Sequence, residues 1–286
     1  MKPRRLGSVI FAYIILTLAY FSAIMFIPDA VASGVAATAV DIALKLAFAA
    51  AAVITAVKLF SADFPKITAK PFVLSLFVTS AVCWCYIAFN FVTSIGEVDR
   101  DYTPLQTAHV IGVYALYCLA VGLVEEALNR RLLLDSLASV MPKYRALVLS
   151  ALLFSLGHSV NFITTGLVWS TVAQLIYTFV FGLFFGAIYL RSRSFGTVVI
   201  LHALFDFAGM IWEAFSSETA DAAATDIAPI YILSYVRLFL PMLIAALFLI
   251  RPAKIPSINE LWDRHEAIAP EREYNNEEKV TEQQAE

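Results

Sequence analysis

Charge is scarce in this chain: Asp, Glu, Lys and Arg make up 15% of its 286 residues, against 60% hydrophobic residues. A water-soluble domain of that size needs a polar shell, and too few charges are present to supply one. No dense basic run occurs and the formal net charge is −3, so nucleic acid is not expected as a partner. Cysteine is scarce too, with 3 residues in all. Cys83, Cys85 and Cys118 lie within apolar runs, and residues two apart point in different directions on a helix. Neither a disulfide nor a structural zinc site is expected from them; they read as small buried hydrophobes. A second, polar domain and internal repeats are also missing.

What the chain has is long apolar runs. Eight are long enough to cross a bilayer as helices of about 20 residues. They fall at roughly 7–28, 36–60, 71–94, 106–139, 146–165, 167–190, 195–215 and 227–250. The fold class is therefore all-α, a polytopic membrane protein with about eight transmembrane helices. The first run, from about Val9 to Ile27, is long for a signal sequence and suits a retained span. Loop signals separate the runs: Pro28-Asp29, Ser61 to Pro65, Asp99-Arg100-Asp101, and the acidic stretch Glu218 to Asp226.

Lys and Arg set the orientation. One side carries Lys2, Arg4, Arg5, Lys58, Lys66, Lys70, Lys143, Arg145, Arg191, Arg193, Arg251 and Lys254, while the opposite loops hold only Arg100. Both termini are expected in the cytoplasm, in the inner or plasma membrane. From about residue 255 the composition turns to Glu, Asn, Gln and Arg, as in a solvated, disordered tail.

Charges inside a bilayer need partners or a task. Asp41 and Lys45, four apart in the second run, most simply neutralise each other. Arg237 in the eighth run has no partner visible in the sequence. Three other runs each bring acid or imidazole into the membrane: Glu125-Glu126 with Arg130, Phe154 with His158, and His202 with Asp206. Two of the chain's 4 histidines thus lie inside spans and belong to this set; His109 and His265 do not. Glu126 and Arg130 share a helical face and can pair. Glu125, rotated about 100° from Glu126, is left to face the bundle interior as a general base. His202 and Asp206, again four apart, allow the carboxylate to orient the ring. Two imidazoles and a carboxylate also make the ligand set of a catalytic zinc, with Glu125, His158 and His202 as ligands. A plain ion-pair staple between helices is the bland alternative for any one of these pieces. Counted from the span ends, His158 and His202 differ in depth by about 9 Å, unless helix tilt brings them level.

These residues resemble the CPBP intramembrane proteases, also called the CAAX protease and bacteriocin-processing or Abi family, which includes the type II CAAX prenyl endopeptidases. The family's motifs EExxxR, FxxxH and HxxxN/D match Glu125-Glu126 with Arg130, Phe154 with His158, and His202 with Asp206. Between the last two, Gln174, Phe181-Gly182, Gly186, Tyr189, Arg191, Ser194 and Thr197 are similar to the family's looser signature. The resemblance covers about residues 105–212. It implies proteolysis inside the membrane by an activated water. Glu125 and His158 would activate that water, His202 with Asp206 would stabilise the oxyanion, and Glu126 with Arg130 would support the site. Either a zinc-dependent or a metal-free glutamate mechanism is compatible with it. The chain departs from the family in Arg131, where glycine is frequent, in Asn129, where an aromatic is common, and in Asp206 rather than Asn. An ionised carboxylate would repel an oxyanion that an amide would hold, which moves Asp206 toward orienting His202 or binding metal.

The organisation expected is N-terminal transmembrane helices over 1–104, a catalytic membrane core over 105–212, a last transmembrane helix over 213–252 and a tail over 253–286. The function expected is hydrolysis of a peptide bond in a membrane-associated or lipidated protein or peptide, whose identity no residue chooses. A catalytically silent scaffold or immunity-type protein of the same family is the alternative. A proton-coupled transporter is a weaker one, since no symmetry relates the halves. Gly182 and Gly186, a small-xxx-small pair, are expected to serve internal helix packing.

Overall fold

The structure is a computed structural model that describes residues 4–31, 35–60, 72–93, 102–215 and 226–251. The tail, the loops around Ser61 to Pro65 and Asp99 to Asp101, and the acidic stretch before Asp226 lie outside the described residues. So do Lys2, Lys66, Lys70, Arg100, Lys254 and His265.

All regular elements among the described residues are helical. The main helices are α1 (Arg4–Val31), α2 (Val35–Phe60), α3 (Ala81–Thr93) and α4 (Pro104–Glu126). They are followed by α5 (Lys143–Gly157), α6 (Val168–Ser192), α7 (Phe195–Met210) and α8 (Ile232–Leu249). Each falls on one of the runs read from the sequence. Six stretches are long and apolar enough to cross a membrane: Leu6–Ile27, Ala36–Phe60, Pro104–Ala138, Lys143–Thr164, Val168–Ser192 and Pro229–Leu249. The two others, Ala81–Thr93 and Phe195–Met210, are shorter apolar helices. Large apolar side chains such as Phe11, Leu18, Ile163, Leu233 and Leu247 point outward and exposed. A hydrocarbon surround makes that arrangement favourable and water would not. The chain is a multi-pass membrane protein.

Local chemistry explains several helix ends. Thr103 starts α4 with a capping box, its hydroxyl accepting from the Gln106 N–H at 3.4 Å while the Gln106 side chain accepts from the Thr103 N–H at 2.9 Å. Pro104 follows in the first turn, where its missing N–H costs nothing. Ser194 caps α7 by accepting from the Thr197 N–H at 3.2 Å. Thr197 is in turn hydrogen-bonded to Ser75 at 2.7 Å, so these two signature positions fasten the start of α7 to the segment before α3.

Two π-helical turns interrupt the α pattern, Leu74–Thr79 ahead of α3 and Ala127–Leu134 directly after α4. The second is buried along its whole length and packs against α1, α2 and α5. Close approach elsewhere depends on small residues. Gly182 lies against Ala151, where an added Cβ would come within 3.0 Å of the Ala151 Cα. A Cβ on Gly186 would collide with Leu147. The pair therefore packs α6 against α5 within one molecule. Of the three cysteines, all free, Cys83 and Cys118 are buried, but Cys85 faces outward. Two positions further along one helix is enough to turn a side chain from the core to the surface. Asp41 and Lys45 pair at 2.5 Å, with the ammonium 4.6 Å from the centre of the Tyr117 ring. Arg237 is exposed and forms no ion pair among the described residues.

Candidate functional site

α4 and α7 cross with their backbones nearly touching. A Cβ on Gly122 would stand 3.0 Å from the Val199 carbonyl and 3.1 Å from the Ala203 nitrogen. Only a glycine allows that approach, and it lies one turn before Glu125-Glu126 and opposite His202. The signal was present as a lone glycine in an apolar helix, but nothing in the sequence says what it faces.

The closeness places three carboxylates around one imidazole. His202, 4% exposed, has its Nδ1 2.9 Å from Glu126 Oε1. Its Nε2 lies 3.6 Å from Glu125 Oε2 and 3.6 Å from Asp206 Oδ2. Behind it, Arg130 Nε is 2.9 Å from Glu126 Oε2 and Arg130 Nη2 donates to Glu126 Oε1 at 3.3 Å. Glu126 and Arg130 are fully buried, whereas the side chains of Glu125 and Asp206 keep 20% and 25% exposure. The two adjacent glutamates thus have different surroundings: Glu126 faces a fixed cation and a ring nitrogen, and Glu125 borders open space.

Aromatic rings wall the group. Phe181 meets His202 edge-on at 5.0 Å and stacks on Phe185 at 4.0 Å. Phe154 lies 5.5 Å under the Arg130 guanidinium and meets the His158 ring at 5.1 Å. These contacts remove water from the Glu126–Arg130 pair, which strengthens it.

His158 stands apart from the carboxylates. It sits where α5 gives way to a single 3-10 turn, His158–Val160, and its Nδ1 is 3.1 Å from the Phe154 carbonyl of its own helix. It makes neither a hydrogen bond nor an ion pair with Glu125, His202 or Asp206. Among the described residues, no group of three or more His, Cys, Asp or Glu side chains is disposed to hold a metal ion. The zinc ligand set of Glu125, His158 and His202 is therefore not gathered in this geometry. Nearby, Asn161 donates to the Gln174 side chain at 2.7 Å, which gives that signature residue a partner.

A second buried charged cluster, which the sequence reading missed, lies beyond the π turn. Asp135 pairs with Arg131, accepts from the Tyr189 hydroxyl at 2.7 Å, and pairs with Arg193 at 2.7 Å. Arg131 also donates to the Tyr189 oxygen at 2.7 Å. Arg193 takes a left-handed backbone, φ 53°, to close α6. The spacing of Arg131 and Asp135, four apart, was the available signal. Arg131, a departure from the family pattern, thus has a structural partner set of its own.

Residues 107–208 match a family model described as type II CAAX prenyl endopeptidase Rce1-like. That stretch runs from early α4 into α7 and contains Glu125, Glu126, Arg130, His158, His202 and Asp206. Comparison with curated proteins finds no match. The match over this segment is consistent with a CAAX-type protease.

Proposed function

We propose that this chain, with a CAAX-type protease segment in its membrane core, is an intramembrane endopeptidase that cuts a membrane-associated or lipidated protein or peptide with a Glu125-activated water. One observation carries the reading: the His202 ring is held by Glu126 at 2.9 Å while its other nitrogen faces Glu125 and Asp206, each at 3.6 Å.

The roles follow from that geometry. Arg130 pairs with Glu126, and Glu126 accepts the His202 Nδ1–H, fixing the orientation of the ring. A separation of 3.6 Å exceeds a direct hydrogen bond and leaves Nε2 able to address a third oxygen. Glu125 removes a proton from water as the water oxygen attacks the scissile carbonyl carbon. The carbonyl electrons move to oxygen, and the His202 Nε2–H donates to the oxyanion that forms. Collapse of the tetrahedral species breaks the C–N bond, and protonated Glu125 returns its proton to the leaving amine. Asp206 stabilises the protonated ring from the side opposite Glu126, which suits a carboxylate better than direct contact with an oxyanion would. His158, whose Nδ1 is turned to the Phe154 carbonyl, is assigned a further polar contact with the substrate through Nε2. The donor set does not fit a zinc ion, so no step is routed through one. Both termini lie in the cytoplasm on the Lys and Arg distribution, which puts the basic ends of α5 and α6 on that side.

The test compares membrane-protein N- and C-termini in cells carrying wild type or Glu125→Ala at equal expression. Products present with wild type and reduced by a factor of about 100 or more in the variant are expected, since a general base supplies at least that much. Unchanged termini in the two strains would overturn the reading. Treating wild-type membranes with a chelator is expected to leave those products unchanged; loss reversed by added zinc would instead require a metal.

A further inference from the structure

Helix α1 lies outside the segment that matches the protease family, yet it reaches the peptide group of Glu125. Tyr13 on α1 donates its hydroxyl to Asn129 Oδ1 at 2.8 Å. The same amide donates through Nδ2 to the Glu125 carbonyl oxygen at 2.7 Å. Tyr13 and Asn129 are each 4% exposed. In an unbroken α-helix the carbonyl of residue 125 would accept from the backbone N–H of residue 129. Here the chain enters the π turn at Ala127, and residue 129 brings its side chain to that carbonyl. The Asn129 carbonyl is bonded in turn by the Ser150 hydroxyl of α5 at 3.1 Å.

Each end of this chain of bonds is chemically specific. A phenylalanine at 129 could neither accept from Tyr13 nor donate to Glu125. A phenylalanine at 13 would keep the ring and lose the donor. π turns inside α-helices occur preferentially at functional sites, because they move a side chain off the position a regular helix would impose. At this one the side chain moved is that of Asn129, two residues past the start of the turn.

We propose that Tyr13 and Asn129 are positioning residues for Glu125, so that α1 forms part of the active site of this chain. The proposal rests on the proteolytic reading above. The amide of Asn129 sets the orientation of the 125 peptide, and with it the direction in which the Glu125 carboxylate leaves the helix. Tyr13 fixes the amide by donating to its oxygen. Small displacements of a general base are expensive in rate even when binding is untouched.

The test uses the full-length protein and a synthetic peptide spanning a cleavage site found in the comparison of termini. Tyr13→Phe, Asn129→Ala and the double variant are purified alongside wild type and Glu125→Gln, and kcat, KM and melting temperature are measured for each. Both single variants are expected to lower kcat by about 10-fold or more with KM within about twofold of wild type. The double variant is expected to be no slower than the slower single, because the two side chains act through one bond path. Wild-type kcat in both singles, with Glu125→Gln inactive, would overturn the positioning role and leave the protease reading standing. Additive losses, or losses matched by a falling melting temperature, would overturn it in favour of packing alone. Turnover retained by Glu125→Gln, or no Glu125-dependent cleavage site at all, would overturn the protease reading and the positioning role with it.

Discussion

Glu125 and Glu126 are neighbours in the chain and lie in unlike places. A rotation of about 100° per residue puts one carboxylate against Arg130 and His202 in the dry interior and the other at the open edge. The cost of burying Glu126 is met by two charge-assisted contacts, at 2.9 Å to Arg130 and 2.9 Å to His202. The same logic governs Asp135, which pairs with both Arg131 and Arg193. Asp135→Ala would remove the carboxylate that both guanidinium groups share. A loss of about 3–5 kcal/mol is expected from breaking a buried pair in this way. Melting of the purified variant against wild type checks it, and an unchanged midpoint would show that the cluster contributes nothing net. Asp135→Asn, which retains an acceptor, is expected to lose less.

At the scale of helices, the site exists because α4 and α7 touch backbone to backbone. Gly122→Ala places a methyl group 3.0 Å from the Val199 carbonyl and 3.1 Å from the Ala203 nitrogen, and neither atom belongs to a flexible side chain. Overpacking of this kind costs about 1–3 kcal/mol, and here it would also push His202 away from Glu125 and Glu126. The expected outcome is a lowered melting temperature together with a loss of cleavage larger than the unfolded fraction explains. Gly112→Ala, on the same helix with open space around it, serves as the control: it is expected to leave cleavage unchanged and to raise the melting temperature if anything, alanine being the better helix former by about 0.5–1 kcal/mol. Full activity in Gly122→Ala would show that the two helices can separate without disturbing the imidazole.

Across the whole molecule, contacts between distant segments decide what sequence could and could not reveal. Asp226 accepts from the Trp169 N–H at 2.9 Å and the Ser170 N–H at 2.7 Å, so the segment before α8 caps α6. Slight desolvation raises its affinity for a proton, but the hydrogen bonds from Trp169, Ser170 and Ile227 outweigh this and hold the carboxyl below its usual 3.8. A group lowered in the folded state stabilises above its ordinary pKa and ceases to as the pH falls through the lowered one. Wild type is therefore expected to melt higher than Asp226→Asn at neutral pH, with the difference shrinking below about pH 4. A difference that persists at low pH would assign the effect to something other than charge. The eight helix positions and the Asp41–Lys45, Glu126–Arg130 and His202–Asp206 spacings were legible, because hydropathy and four-residue spacing are local properties; that Glu125 belongs with the other motifs came from the family resemblance. The Tyr13–Asn129 bond joins residues 116 apart, the Asp226 cap spans 57, and Gly122 is significant only for what lies opposite it. Those features depend on tertiary contact and leave no periodic trace. His158 is hydrogen-bonded to the Phe154 carbonyl of its own helix, a local partner that its motif did not announce. The π turns, likewise, record a demand from neighbouring helices and not a local preference. Ala127–Leu134 holds more residues per turn than the α-helices on either side. Losing one of the eight would let the stretch close to α geometry with the helix beyond it still facing the same way, because the wide turn already holds one residue more than an α-helix needs. Asp135 would keep its place near Tyr189 and Arg193, and the Glu125 carbonyl would go to a backbone N–H instead of the Asn129 amide. A single deletion here would thus remove one side-chain contact and leave both flanking faces where they are.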